Sequence, residues 1–285
     1  MEQQIKILLM YVSWKGHQNL WSDLFNRGVN NMIILCGGSE ETHLEDKILY
    51  LKCNDSYEGL PEKMICAIDF VLNDSRFSSY THILKIDDHD SYCSQKTIDF
   101  LVSKCSNILK SNDYIGQNIL DQAVPEYHFN RVEKGSYWYK KPYKGESVPF
   151  AIGGSTYILS RNAMSCINNT FNIKNLNFVR CNFIHEDVMI GLILFAYDIK
   201  PHWLNYGVRT FINPVNINGV YGQWKCIGIE NQKYGLPIGS HVRFGRAGKW
   251  VQKLTDVDVF TGNVEYFQED PCEKILKNIE LFIPF

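Results

Sequence analysis

The feature that most constrains this chain is the order of its first segments, in which short apolar runs alternate with amphipathic ones and one run ends in charged residues. Ile7 to Val12 and Met32 to Leu35 are compact apolar runs, and a helix-compatible stretch around Gln18 to Phe25 separates them. Ile48 to Leu51 is a third short strand. Pro61 then suits a first helical turn, and Met64, Ile65, Ile68, Val71 and Leu72 fall on one helical face. His82 to Ile86 reads as a buried strand running directly into Asp87-Asp88-His89-Asp90. Ser94 is placed to cap the next helix, whose apolar stripe is Ile98, Leu101, Val102, Cys105, Ile108 and Leu109. Such alternation predicts an α/β fold with a largely parallel sheet and helices on its faces. Ligands of such sheets gather at the carboxyl ends of the strands, where the acidic cluster falls.

The remaining sequence narrows the class. With 285 residues, 45% of them apolar, the chain is long enough for one large domain or two closely packed halves, and no internal repeat or domain break interrupts it. The 29 basic and 31 acidic side chains nearly cancel, which argues against a nucleic-acid partner. Ile7 to Val12 and Val188 to Tyr197 are both too short for a membrane span, and the first is too short for a signal-peptide core. None of the nine cysteines stands in a CxxC pair, so they read as reduced thiols of a cytoplasmic protein. Three matches to the glycosylation acceptor pattern, at Asn54, Asn73 and Asn168, then read as chance.

From Gln117 to Phe150 the chain is aromatic and irregular, a surface segment in which Tyr127, Tyr137, Trp138, Tyr139 and Tyr143 serve either packing or sugar stacking. Gly153-Gly154 opens a strand-like run to Leu159, either as a tight turn or as a place where backbone passes close to a ligand. His185-Glu186-Asp187 precedes the helical run Val188 to Tyr197, and Asp270-Pro271 begins a terminal amphipathic helix.

Two acidic clusters carry the chemistry. Carboxylates crowded at a strand end repel one another and lose solvation, which is costly without a cation. Mg²⁺ or Mn²⁺ relieves that cost and can neutralise a diphosphate, and an imidazole ligand favours Mn²⁺. The plainer reading of Asp87 to Asp90 is a solvated turn. Asp187 is likewise either an N-cap or first-turn charge favoured by the helix dipole or a base for a hydroxyl, and the two roles can coexist.

Taken in order, these segments resemble the β-1,3-glycosyltransferases of glycosyltransferase family 31, the galactosyl-, N-acetylglucosaminyl- and Fringe-type enzymes. Asp55-Ser56-Tyr57 with Leu60 and Lys63 resembles the family's D-x-Y-x-N-L-x-x-K segment, with Gly59 in place of the usual Asn. His82 to His89 resembles Y-x-x-K-x-D-D-D. Trp138-Tyr139 resembles K-W-Y, Gly153-Gly154 to Ser160 resembles G-x-G-Y-V-L-S, and Glu186-Asp187-Val188 with Gly191 resembles E-D-V-x-x-G. The resemblance covers roughly Ile7 to Tyr197.

It implies a GT-A fold, Rossmann-like, with a mixed, mainly parallel sheet in a single domain over 1–285. Residues to about 116 would bind the nucleotide-sugar and the rest would serve acceptor and catalysis. It further implies a UDP-sugar donor, a glycan or glycoconjugate acceptor, Mn²⁺ or Mg²⁺, and inversion at the anomeric carbon. Carried over, Asp187 is the catalytic base, while Asp55, Lys63, Asp87, Gly153, Gly154 and Glu186 line the donor site. The metal falls to Asp88 with His89 or Asp90, since His89 stands where the family has an acid. A further ligand is expected from the C-terminal part, at His241 rather than His202. The resemblance is to a cytoplasmic microbial or viral relative of the animal enzymes. A non-catalytic carbohydrate-binding protein on the same fold is the alternative, and a metal-dependent phosphoesterase is weaker for want of histidine clusters.

Overall fold

A computed structural model describes residues 4–88, 91–121, 132, 134–141, 143–204 and 206, together with the strand residues 209–210, 241–244 and 251–254. The first strand, β1 (Ile7–Val12), is buried along its whole length. It is followed by α1 (Gln18–Asn26), β2 (Met32–Cys36), β3 (His43–Glu45), β4 (Ile48–Tyr50), α2 (Leu60–Asn73) and β5 (His82–Asp87). The short β6 (Ser91–Tyr92), α3 (Gln95–Lys104), α4 (Ser106–Ser111), β7 (Tyr114–Gly116) and β8 (Ile119–Leu120) come next. After the aromatic segment stand β9 (Phe150–Ala151), β10 (Tyr157–Ser160), α5 (Arg161–Thr170), α6 (Leu176–Asn182), α7 (Glu186–Ala196), β11 (His202–Trp203) and β12 (Arg209–Thr210).

Eight strands form the main sheet in the order β11-β7-β10-β5-β1-β2-β4-β3. The pairs β11–β7, β5–β1, β1–β2 and β2–β4 are parallel, and β10 is inserted antiparallel between β7 and β5. The architecture is therefore α/β with a mixed, mainly parallel sheet, as the alternating sequence predicts.

Strand periodicity divides the core into two layers. Leu8, Met10 and Val12 face one layer, completed by Met64 and Ile68 of α2 with residues of α5, α6 and α7. Ile7, Leu9 and Tyr11 face the other, completed by Trp21 and Leu24 of α1 with residues of α3 and α4. Each fully buried Leu or Ile contributes about 1.5–3 kcal/mol. Because α1 and α2 cover opposite faces, the chain reverses its winding direction between β1 and β5. That switch point is where an open α/β sheet leaves a crevice at its carboxyl ends.

Several expectations are refined. The stripe from Ile98 to Leu109 belongs to two helices, since Cys105 leaves helical geometry at φ −107°, ψ 11°. Ser94 occupies the N-cap position of α3, but its side chain caps nothing. The run after Gly153 begins as a single 3-10 turn, Gly153–Ser155, before β10. The expected terminal helix lies outside the described residues. Among the described residues no helix is long and apolar enough to cross a membrane.

Gly59, the N-cap of α2, has a physical reason to differ from asparagine. A Cβ there would come within 2.7 Å of the Asn54 carbonyl carbon and closer still to its oxygen. Gly59→Asn should therefore destabilise the fold, by about 1–3 kcal/mol for an overpacked site. A lowered urea midpoint checks this, and an unchanged or raised midpoint would contradict it.

Candidate active site

The acidic end of β5 divides between two networks because consecutive strand residues point to opposite faces. Lys85 and Asp87, two apart, share the face of α7. Asp88 turns towards β1 and α1.

On the first face, Lys85 is 2% exposed, and a lysine that deeply buried requires counter-charge. Its ammonium reaches Asp87 Oδ1 at 2.7 Å, donates to the Gly153 carbonyl at 2.9 Å, and stands 3.8 Å from Glu186 Oε2. Burial pulls the lysine pKa down, but the Asp87, Glu186 and Asp187 carboxylates outweigh it and hold the pKa above its ordinary value. Glu186 accepts a hydrogen bond from the buried Tyr157 hydroxyl. Burial pushes its carboxyl up to about 7 although the Lys85 charge opposes this. At 3.8 Å from the ammonium, Glu186 is undercompensated for its burial.

Asp187 occupies the first turn of α7 and is 9% exposed. Its Oδ2 accepts the Gly153 N–H at 3.0 Å and its Oδ1 accepts the Val188 N–H at 2.9 Å. The cap position belongs to His185, whose side chain makes no cap bond, so Asp187 is not the N-cap. Gly153 is thus bonded to Lys85 through its carbonyl and to Asp187 through its N–H. A Cβ on Gly153 would come within 2.7 Å of Glu186 Oε2 and 3.1 Å of Lys85 Nζ, so the missing side chain is what lets the two charges approach. At Gly154 a Cβ would lie 3.6 Å from Asp87 Oδ2, an ordinary contact. The turn ends at Thr156, buried at φ +85° and bonded through its hydroxyl to Tyr206.

On the second face, Asp88 is 3% exposed and its Oδ2 accepts the Ser13 hydroxyl at 2.6 Å. His17 Nδ1 lies 2.9 Å from the same oxygen, and the Trp21 indole N–H donates to Ser13 Oγ at 2.8 Å. Lys63 donates to the Ser13 carbonyl at 2.5 Å and to Asp55 Oδ1 at 2.8 Å. Asp55 also accepts the Gly37 N–H at 2.7 Å and the Lys15 N–H at 2.8 Å. Asp55 and Lys63 therefore brace the ends of β1 and β2 against α2, beneath Asp88.

The structure brings Asp55, Lys63, Asp87, Asp88, Gly153, Gly154, Glu186 and Asp187 into one region at the carboxyl end of β5. His89 and Asp90 lie outside the described residues. His241 opens the strand β13 (His241–Phe244), paired antiparallel with β14 (Val251–Leu254), and its side chain lies outside the described residues. His202 is exposed at the start of β11, in the main sheet. Among the described residues no three His, Cys, Asp or Glu side chains converge on a metal position. The Asp88 carboxylate with the His17 imidazole beside it is oxygen and nitrogen donor chemistry of a kind that Mn²⁺ accepts.

Ser13 and His17 escape the sequence reading. Lys85 and Tyr157 stand inside the segments that carry the resemblance, but the sequence reading gave neither a role.

A mixed sheet with paired carboxylates at the switch point and a second acidic pair opening a facing helix defines the class, a GT-A-like glycosyltransferase fold. The family model described as Galactosyltransferase matches residues 35–205, more than half of the chain, and the chain belongs to that family, of the family-31 type. No curated protein matches it. Membership makes the chain a glycosyltransferase, with a sugar donor and an acceptor as its partners.

The Glu186 carboxyl yields a pH prediction. Its folded pKa of about 7 lies above the ordinary value of 4.5, so between those values the folded state binds more protons than the unfolded. This contribution to stability falls as pH rises through that window. Glu186→Gln should remove that slope, a difference from wild type on the order of 3 kcal/mol between pH 4.5 and 7.5. Urea denaturation across the window measures it, and parallel pH profiles for the two proteins would contradict it.

Proposed function

We propose that this chain is an inverting, metal-dependent transferase that moves a hexose or related sugar from a UDP-sugar to a hydroxyl of a glycan or glycoconjugate. The observation that best supports the reading is Gly153, whose two backbone groups tie Lys85 and Asp87 at the end of β5 to Asp187 at the start of α7. One residue thereby joins the acidic strand end to the acidic helix start.

In this reading Asp187 accepts the proton of the acceptor hydroxyl as that oxygen bonds to the anomeric carbon. The bond from that carbon to the diphosphate breaks, and its electron pair leaves with UDP. The N–H groups of Gly153 and Val188 fix the Asp187 carboxylate, so the base is oriented before the acceptor arrives. Lys85 sets the spacing between Asp87 and the Glu186–Asp187 pair. Asp88, with His89 or Asp90 and with His241, would hold Mn²⁺ or Mg²⁺. Such an ion neutralises charge on a departing diphosphate. The free, buried Cys36, Cys53, Cys66, Cys93 and Cys105 support a reducing compartment, the cytoplasm of a microbe or of a virus-infected cell.

UDP with Mn²⁺ should raise the melting temperature, by the equivalent of about 2.7 kcal/mol at a hundredfold excess over Kd. Asp187→Asn should lower turnover of a UDP-sugar by at least about 100-fold while leaving UDP affinity intact. Unchanged turnover removes Asp187 from the mechanism. Glycan binding by the wild type, with neither transfer nor donor hydrolysis, would mark a carbohydrate-binding protein instead.

A further inference from the structure

The chain carries a formal net charge of −2, yet from Lys134 to Lys144 it has four lysines, four aromatic residues and no carboxylate. Lys134, Lys140, Lys141 and Lys144 are exposed, and among the described residues none of them forms an ion pair. Two of the ammonium groups stand against rings instead. Lys141 Nζ lies over the Tyr137 ring, 2.8 Å from its centroid, and Lys140 Nζ lies 5.4 Å from that of Tyr139. Tyr137 is 53% exposed and meets Trp138 edge to face, with centroids 5.2 Å apart.

The backbone fixes this arrangement. The Trp138 N–H donates to Ser136 Oγ at 3.0 Å, and the Tyr139 and Lys141 N–H groups donate to the Ser136 and Trp138 carbonyls at 3.1 Å. Lys140 holds φ +59°, a left-handed conformation that glycine or asparagine adopts more readily. A cation is thus kept where local conformation does not favour one. The far end of the segment is anchored at the site. The Tyr143 hydroxyl donates to the Glu146 carbonyl at 2.8 Å, and its ring packs against that of His185 with centroids 6.0 Å apart. His185 immediately precedes Glu186 and Asp187, and the segment runs on through β9 into the Gly153 turn.

We propose that this segment receives the acceptor and selects an acidic glycan, whose sugar rings lie on Tyr137 and Trp138 and whose carboxylate, sulfate or phosphate groups meet Lys140, Lys141 and Lys144. The inference rests on the transferase reading and names its acceptor class. Lysine acts on an anion as a point charge, and the rings between the lysines supply flat faces for sugars. On a chain of net negative charge, this patch is where an acidic glycan is steered. Tyr143 and His185 place the patch beside Asp187, the base assigned to the acceptor hydroxyl. That placement favours a glycan over a lipid surface as the occupant.

Titration calorimetry with oligogalacturonate and with its uncharged methyl ester tests the assignment. The acid should bind wild type at least about tenfold more tightly than the ester, and added salt should erase the difference. The triple variant Lys140→Gln, Lys141→Gln, Lys144→Gln should bind the acid about tenfold more weakly, while keeping wild-type affinity for UDP with Mn²⁺ and a wild-type urea midpoint. Tyr137→Ala should weaken both forms by about threefold or more. Equal binding of acid and ester, or wild-type affinity for the acid in the triple variant, overturns the assignment and leaves the transferase reading standing. Capture by phosphatidylglycerol vesicles without binding of the acid assigns the patch to a membrane surface and overturns it as well. A wild type that binds the acid but no UDP overturns the donor reading instead.

Discussion

The buried ammonium of Lys85 is the constraint on which the rest of the site depends. Removing such a charge from water costs several kcal/mol unless opposite charge and hydrogen bonds replace the solvent. Here the replacements come from three places: Asp87 two residues along the same strand, the Gly153 carbonyl, and Glu186 at the start of α7. Tyr157 then satisfies the far oxygen of Glu186, and Asp187 holds the Gly153 N–H. A single cation thus requires the strand end, the glycine turn and the helix start to meet.

Asp88 belongs to a different circuit. Ser13 and His17 bind it, Trp21 of α1 holds the Ser13 hydroxyl, and Lys63 and Asp55 carry the connection on to β2 and α2. Two neighbouring aspartates so serve opposite sides of one crevice, with α7 on one and the loop after β1 on the other. The division follows from the alternation of side chains along a strand.

Much of this was legible in the sequence because it is local. The apolar runs at Ile7, Met32 and His82 and the face from Met64 to Leu72 are periodic signals, and they gave β1, β2, β5 and α2 within a residue or two. Glu186 and Asp187 stand where the helical run suggested. The missed features depend on distant partners. Nothing near Ser13 or His17 in sequence announces Asp88, and only the structure shows Gly59 pressed against Asn54. The apolar stripe from Ile98 to Leu109 was real, but periodicity alone does not reveal that Cys105 interrupts it, because both helices pack on the same core layer.

The insertion of β10 between β5 and β7 bears on how the chain is made as well as on how it works. Until Tyr157–Ser160 emerges and pairs with His82–Lys85, β5 is the outer strand of a partly built sheet. An open apolar edge of that kind invites pairing with another nascent chain, and a lysine within it is a common protection. Lys85 places such a charge within β5, on the edge that β10 closes. The charge that organises the finished site is thus of the kind that disfavours edge pairing while the sheet is incomplete.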